Sequence, residues 1–334
     1  QDSVGNVVAL RPGAEDREPL VLSAHLDTVF PAGTDVTVHA DGDLFRAPGV
    51  SDDGRGLAAL VTVARALSQA DITTRTPILF AATVGEEGSG DLRGVRHLFE
   101  SGGVAADAAG FISLDGAGMK YVVTRALGAR RFRVALSGQG GHSWINYSAP
   151  NPIHALGRAI GALASWPPPT DPALSLTVAR WGGVTSVNAI PAEAWAELDF
   201  RSESIAHLDV GEERLRAVLD RSVAEENASV TDQDGRLRVD VTVVGRRSAG
   251  VTALDSPLVE AALAATRVSG VEPKVTASST DANLPMSLGI PAITLGAGGS
   301  AGAVHTTDEW YHNGNGSIGI QRALHTVLLV SGLD

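Results

Sequence analysis

Ile78-Leu79-Phe80-Ala81-Ala82-Thr83-Val84-Gly85-Glu86-Glu87-Gly88 is an apolar, β-branched run that ends abruptly in two carboxylates held between glycines. Such a run reads as a strand buried on both faces, as in a parallel sheet covered by helices. In open α/β sheets ligands bind just outside the carboxyl ends of the strands. Glu86 and Glu87 therefore stand where chemistry is expected. Two adjacent ionised glutamates repel each other unless a cation or a shared proton relieves them. A strand simply leaving the core for solvent would look similar, but three other apparent strands end in the same way.

Upstream, residues 5–10 read as a first strand. Pro19-Leu-Val-Leu-Ser-Ala-His25-Leu26-Asp27-Thr28 follows, and period-2 geometry puts His25 and Asp27 on one face at the strand's end. That spacing suits a ligating imidazole whose second ring nitrogen is held by a carboxylate. Residues 34–46 look like an edge hairpin with its turn at Ala40-Asp41-Gly42-Asp43. The loop Pro48–Gly56 then opens a helix over Leu57–Ser68. Asp52 and Asp53 in that loop admit two readings, helix caps or a bridging carboxylate at the helix N-terminus.

Downstream, a helix near Leu92–Ser101 leads to Gly110-Phe-Ile-Ser-Leu-Asp115-Gly116, again a strand ending in an acid and a glycine. Strand alternating with helix is the pattern of a doubly wound sheet. The style changes near Gly128. Residues 131–137 alternate like a half-exposed antiparallel strand, and Gly138–Ser143 is a glycine loop carrying His142. Helices at 152–163 and 207–225 and strands at 174–181, 193–201 and 236–244 complete an α+β insert of about 120 residues, an ordinary domain size. The doubly wound style then returns with a helix at 257–268, a strand ending at Leu295, a glycine-rich stretch before His305, and a closing helix at 318–333. The expected division is 1–127 and 247–334 for a mostly parallel α/β catalytic domain, with 128–246 inserted as a smaller α+β lid and dimerisation domain.

Composition narrows the chemistry. A formal charge of −12 opposes nucleic-acid binding, which needs clustered Lys and Arg. The absence of cysteine removes disulfides, thiolate catalysis and Cys-type zinc sites, so any metal must be held by His and carboxylates. No apolar run approaches the ~20 residues that span a bilayer, and no membrane partner is expected. A cytoplasmic location is the expectation. The glycines at 296–302 are not followed by Gly-Lys-Ser/Thr, which excludes a phosphate loop. His25, Asp52, Glu86, Glu87, Asp115 and His305 can gather at one sheet edge. A sulfur-free set of that kind suits a pair of zinc or similar divalent ions, a recurring hydrolytic arrangement.

Ser23-Ala24-His25-Leu26-Asp27-Thr28-Val29, Ser51-Asp52-Asp53, Gly85-Glu86-Glu87-Gly88, Asp115, Gly141-His142-Ser143, Asn188-Ala189-Ile190-Pro191, Gly289-Ile290-Pro291 and His305 together resemble the two-metal exopeptidases and deacylases. That family includes carboxypeptidase G, peptidase T, carnosine dipeptidase, acetylornithine deacetylase, succinyl-diaminopimelate desuccinylase and aminoacylase. The resemblance implies that Asp52 bridges two metals, most often zinc with cobalt or manganese as alternatives. Glu87 and His305 would complete one metal, and His25 and Asp115 the other. It makes Glu86 the general base acting on a metal-bridged water, and Asp27 the residue that orients His25. It also implies a cis peptide between Asp52 and Asp53. His142 would reach from the insert of one subunit into its partner's site to stabilise the oxyanion, and Asn188 would contact substrate, so a homodimer through the insert is expected. Arg247 is a candidate for binding a substrate carboxylate bidentately.

Members of the family usually carry a helical segment before the first strand, whereas here the first strand lies almost at the start. The third acid is Asp115, where carboxypeptidase G and the deacylases resemble one another in having Glu. Asp is found in the peptidase T and carnosinase-like branches. The expected function is hydrolysis of small peptides by an aminopeptidase, tripeptidase or dipeptidase. The alternatives are a deacylase or carboxypeptidase acting on N-acyl amino acids, and a catalytically inactive binding protein of the same fold.

Overall fold

A computed structural model describes the chain except residues 101, 184, 185 and 231–234. In order, the elements are β1 (Val7–Arg11), β2 (Leu20–His25), β3 (His39–Asp41), β4 (Leu44–Arg46), α1 (Gly54–Gln69), β5 (Ile78–Thr83), α2 (Arg93–Phe99), β6 (Gly110–Leu114) and β7 (Tyr121–Ala126). Then come β8 (Gly128–Ser137), β9 (Gly141–His142), α3 (Pro152–Ala164), β10 (Leu174–Gly182), β11 (Ala189–Ile190), β12 (Glu193–Ser202), α4 (Ile205–Ala228) and β13 (Arg238–Arg247). The chain closes with β14 (Gly250–Val251), α5 (Pro257–Val268), β15 (Lys274–Ser278), α6 (Asn283–Ser287), β16 (Ala292–Leu295), β17 (Ser300–Gly302), β18 (Trp310–His312) and α7 (Gly316–Ser331).

Two units result, Gln1–Leu127 with Ser248–Asp334, and Gly128–Arg247. The second junction falls after Arg247 rather than before it. β13 stays paired with β8 to its last residue, Arg247 opposite Ala129, and hydrogen bonding to that sheet keeps the arginine in the inserted unit.

The first unit is built on an eight-stranded sheet in the order β1-β5-β2-β6-β16-β7-β14, with β15 paired to β7. β5, β2, β6 and β16 are mutually parallel, while β1 and β7 run antiparallel to their neighbours β5 and β16. The core strands are apolar on both faces because helices cover both. Leu20, Leu22, Phe80, Ile112 and Leu295 pack with Leu60, Val63, Val259 and Val327 of α1, α5 and α7. Val21, Leu79, Ala81 and Phe111 pack with Val95 and Leu98 of α2 and Met286 of α6. From β2 the chain goes to β5 on one side and later to β6 on the other. The carboxyl end of β2 is thus a switch point, where open sheets bind ligands.

The hairpin expected over 34–46 forms around the expected turn, with shorter strands than expected. β3 and β4 pair with each other, and β4 pairs with β18, in a separate four-stranded sheet β17-β18-β4-β3. The strands β7, β15, β17 and β18 were not anticipated. β7, β15 and β18 pair with residues distant in sequence, and β17 and β18 are three residues long, so the local pattern is weak.

The inserted unit is an antiparallel sheet β10-β12-β8-β13 packed with α3 and α4. Phe132, Val134 and Leu136 alternate inward from β8 and meet Leu156, Leu198, Phe200, Leu208 and Leu219, with Phe132 and Phe200 edge to face at 5.8 Å. Asn151 caps α3 by accepting Ile153 N–H at 2.9 Å, ahead of Pro152. Ser204 caps α4 by accepting His207 N–H at 3.3 Å.

Candidate metal centre and active site

The acid pair at the N-terminus of α1 divides the two roles that its sequence left open. Asp53 is the cap. Its buried carboxylate accepts Gly56 N–H at 2.9 Å and also His25 N–H at 3.0 Å and Gly116 N–H at 3.3 Å. It therefore ties α1 to the ends of β2 and β6. Asp52 instead points both oxygens at imidazoles, with Oδ1 2.9 Å from His25 Nε2 and Oδ2 3.0 Å from His305 Nε2. The peptide between the two acids is cis.

His25 closes β2 and is buried. Its Nδ1 meets the backbone carbonyl of Asp27 at 2.9 Å, whereas the Asp27 carboxylate is 3.9 Å away. Asp27 thus orients the ring through its main chain. Its carboxylate does something the sequence did not reveal: it accepts the amides of Glu86 at 3.0 Å and Glu87 at 2.9 Å. That fork fixes the loop after β5, which turns at Gly85 in the left-handed region (φ +72°), a conformation glycine adopts without penalty. Glu87 Oε1 then lies 2.9 Å from His305 Nε2, and Glu86 is buried.

The electrostatics are those of crowded acids. Burial, together with the charge of Asp52, raises the Asp115 carboxyl to about 7. Burial likewise raises Asp53 well above the carboxylate range and lifts Glu87. Burial opposes the charged form of His25, but the hydrogen bond to Asp52 and the charges of Asp53, Asp115 and Glu86 outweigh it and push the imidazole to about 12. Burial would raise Asp52 too, yet its two histidine partners hold it low. The cluster favours positive charge at its centre.

A divalent cation answers that demand. Ligand atoms of His25, Asp52 and Glu87 lie within 4.8 Å of one another, and one carboxylate faces two histidines with its two oxygens. Imidazole and carboxylate without sulfur is a donor set for zinc, cobalt or manganese. His25 contacts Asp52, and His305 contacts both Asp52 and Glu87. Asp115 directly follows β6 and its charge acts on His25, but its carboxylate is not among the groups within 4.8 Å of one another. The residues present fit two metal ions.

Two carboxylates that the sequence did not single out organise this centre. Asp281, at 2.5 Å from Thr83 Oγ1, is buried beside β5 and acts on Asp115 by its charge. Glu309 is buried and accepts Gly49 N–H at 2.9 Å, Ser51 N–H at 2.8 Å and Asp52 N–H at 3.0 Å. The sequence offers little signal for Glu309, since only the structure shows that Glu309 and Tyr311 are buried while His312 is exposed.

The remaining expected residues lie in the inserted unit. His142 is exposed on β9, which pairs with β11 so that His142 stands opposite Ala189. Its Nδ1 accepts the amides of Trp144 at 3.2 Å and Ile145 at 3.4 Å, which leaves the ring proton on Nε2 as a donor. Asn188 is exposed nearby, its carbonyl accepting Ser143 N–H at 2.9 Å and its Oδ1 accepting from Ser186 Oγ. Val184 and Thr185 of the same loop lie outside the described residues. Arg247 is buried at 4% exposure.

Residues 21–328 match the model of peptidase family M20/M25/M40. Similar curated proteins include the uncharacterized protein YqjE of Bacillus subtilis, 25% identical over 91% of this chain and 79% of that protein. The cytosol non-specific dipeptidase of Escherichia coli is 26% identical over 69% and 52% of the two chains. A succinyl-diaminopimelate desuccinylase of Burkholderia multivorans is 29% identical over 65% and 62%. Among solved structures, a Staphylococcus aureus tripeptidase superposes with TM-score 0.80 at 20% identity, over 98% of this chain and 84% of that one. Aminopeptidase PepT of Bacillus cereus gives 0.76 at 22% identity, over 98% and 85%. These structures share the fold. The chain belongs to peptidase family M20/M25/M40, and it is a metal-dependent hydrolase of peptide and amide bonds.

Proposed function

We propose that the protein is an exopeptidase acting on small peptides through two divalent metals, with zinc the first candidate. The observation that carries this reading is the Asp52 carboxylate turned toward His25 and His305 at once, beside Glu86 and Glu87 on one fixed loop. His25 and Asp115 would hold one ion, Glu87 and His305 the other, and Asp52 both. Bound metal supplies Lewis acidity toward water and the scissile carbonyl.

The chain's own groups carry the protons. The Glu86 carboxylate takes a proton from water as that oxygen bonds the carbonyl carbon. It then delivers that proton to the departing nitrogen as the C–N bond breaks, which frees a carboxylic acid and an amine; the second proton of the water leaves the acid for the amine or for solvent. The Asp27 fork holds both amides, and successive side chains on an extended segment point in different directions, so Glu86 and Glu87 can divide base and ligand roles. His142, with its proton on Nε2, and Asn188 are hydrogen-bond donors for the substrate, and Arg247 is a candidate partner for its carboxylate. His142 and Asn188 act within a homodimer formed through the inserted unit.

Asp115 in place of Glu and the likeness to a dipeptidase favour peptides. The 29% identity to desuccinylases supports a second reading, a deacylase of N-acyl amino acids. Hydrolysis of a panel of dipeptides, tripeptides and N-acyl amino acids, with and without chelator, separates the two. Chelator-sensitive turnover of peptides, with two metals per chain, is the expected result. Preference for N-acyl amino acids would move the assignment to the deacylase, and turnover indifferent to chelator would overturn both.

A further inference from the structure

We propose that Glu309 is a positioning residue for the metal pair, clamping the bridging Asp52 to the segment that carries His305. This inference rests on the two-metal reading above. The Glu309 carboxylate is 1% exposed and spends its oxygens on three consecutive-loop amides, Gly49, Ser51 and Asp52, at 2.8–3.0 Å. Its backbone carbonyl accepts Ala47 N–H at 3.2 Å, and the next residues pair with β4, Trp310 opposite Arg46 and Tyr311 opposite Phe45. The end of the segment 305–309 is thereby fastened to both sides of the Asp52 loop.

That fastening matters most for His305. The residue is half exposed, its backbone is left-handed at φ +66°, and Ala303 before it is left-handed at φ +53°. Left-handed backbone at non-glycine positions persists only where the surroundings enforce it. The His305 ring meets Asp52 and Glu87, ligands that arrive from segments more than 200 residues away. His25 has separate supports, β2 itself and the Asp53 carboxylate on its amide. Loss of the Glu309 clamp should therefore loosen the position shared by Glu87 and His305 and spare the one at His25 and Asp115.

The test is Zn2+ binding by equilibrium dialysis to the wild type, Glu309→Gln and His305→Ala, with circular dichroism and thermal unfolding to verify folding. Glutamine keeps the shape but turns an amino group toward one of the three amides. The expected result is one zinc bound within about twofold of wild-type affinity and a second weakened about 10–100-fold, as for loss of a partner behind a metal ligand. His305→Ala should reproduce that asymmetry. A folded Glu309→Gln protein that binds two zinc ions with wild-type affinity, or weakens both equally, overturns the proposal. If Glu309→Gln does not fold, amide hydrogen exchange on the wild type decides. Protection of Gly49, Ser51 and Asp52 with and without zinc supports the clamp; free exchange of these amides until zinc is added overturns it. A wild type binding fewer than two zinc ions would overturn the two-metal reading and this inference with it, whatever the variant does.

Discussion

His25 and His142 each end a short extended run, yet their surroundings are opposites. His25 is 2% exposed, and its ring nitrogens meet groups from Asp27 and Asp52, while its amide is held by Asp53. His142 is exposed, and its Nδ1 is satisfied by amides two and three residues ahead. At the sheet edge His25 is held by Asp52 and Asp53 of another segment, whereas the His142 ring is held by amides of its own loop even though β9 pairs with the distant β11. Beside His142 stand Trp144, 81% exposed, and Tyr147, 78% exposed, with ring centroids 6.5 Å apart. Burial at the sheet edge fixes charge in place. Exposure at the loop leaves the donors proposed for the substrate accessible.

The contrast can be broken by substitution. Glu86→Gln should have the largest effect, lowering kcat by about 10²–10⁴-fold, the range for a general acid–base group, while metal analysis finds wild-type content. Normal turnover would remove Glu86 from the reaction. His142→Ala should lower kcat by about 10²–10³-fold, as loss of one oxyanion donor does, again without loss of metal. Mixing His142→Ala with Glu86→Gln should restore part of the activity if subunits share sites; no recovery would confine His142 to its own chain.

Asp27→Asn should act on the sheet edge as a structural change. An amide group would then face one of the Glu86 and Glu87 amides, leaving a donor unsatisfied at a cost of about 1–3 kcal/mol, read from urea unfolding. A variant as stable as wild type would mean that the fork contributes nothing. The smallest effect is expected at Trp144→Ala, where an exposed side chain should change stability by no more than about 0.5 kcal/mol. A larger loss would show that the loop depends on packing after all.

Much of this was legible in the sequence because chemistry followed simple patterns. Apolar runs ending in acids marked β2, β5 and β6, and the return of that style after Gly250 led to an expected insert of 128–246, one residue short of the unit in the structure. The roles of Asp52 and Asp53 were not separable, since both are short acids before a helix and either can cap it. Only the fold shows Asp53 taking three amides and Asp52 two imidazoles. Asp27 was read as a carboxylate behind His25, and its proximity in sequence was right but the atom was wrong: the carbonyl meets the ring.

The sequence alone determined the α/β class and the kinds of donor open to a metal, because burial periodicity and the absence of cysteine are local or compositional facts. The tertiary structure decided which oxygen meets which partner. Those choices depend on amides and rings brought together from more than 200 residues apart, as Glu309 and Asp52 are, and hydrogen-bond geometry over such separations is set only when the sheet has closed.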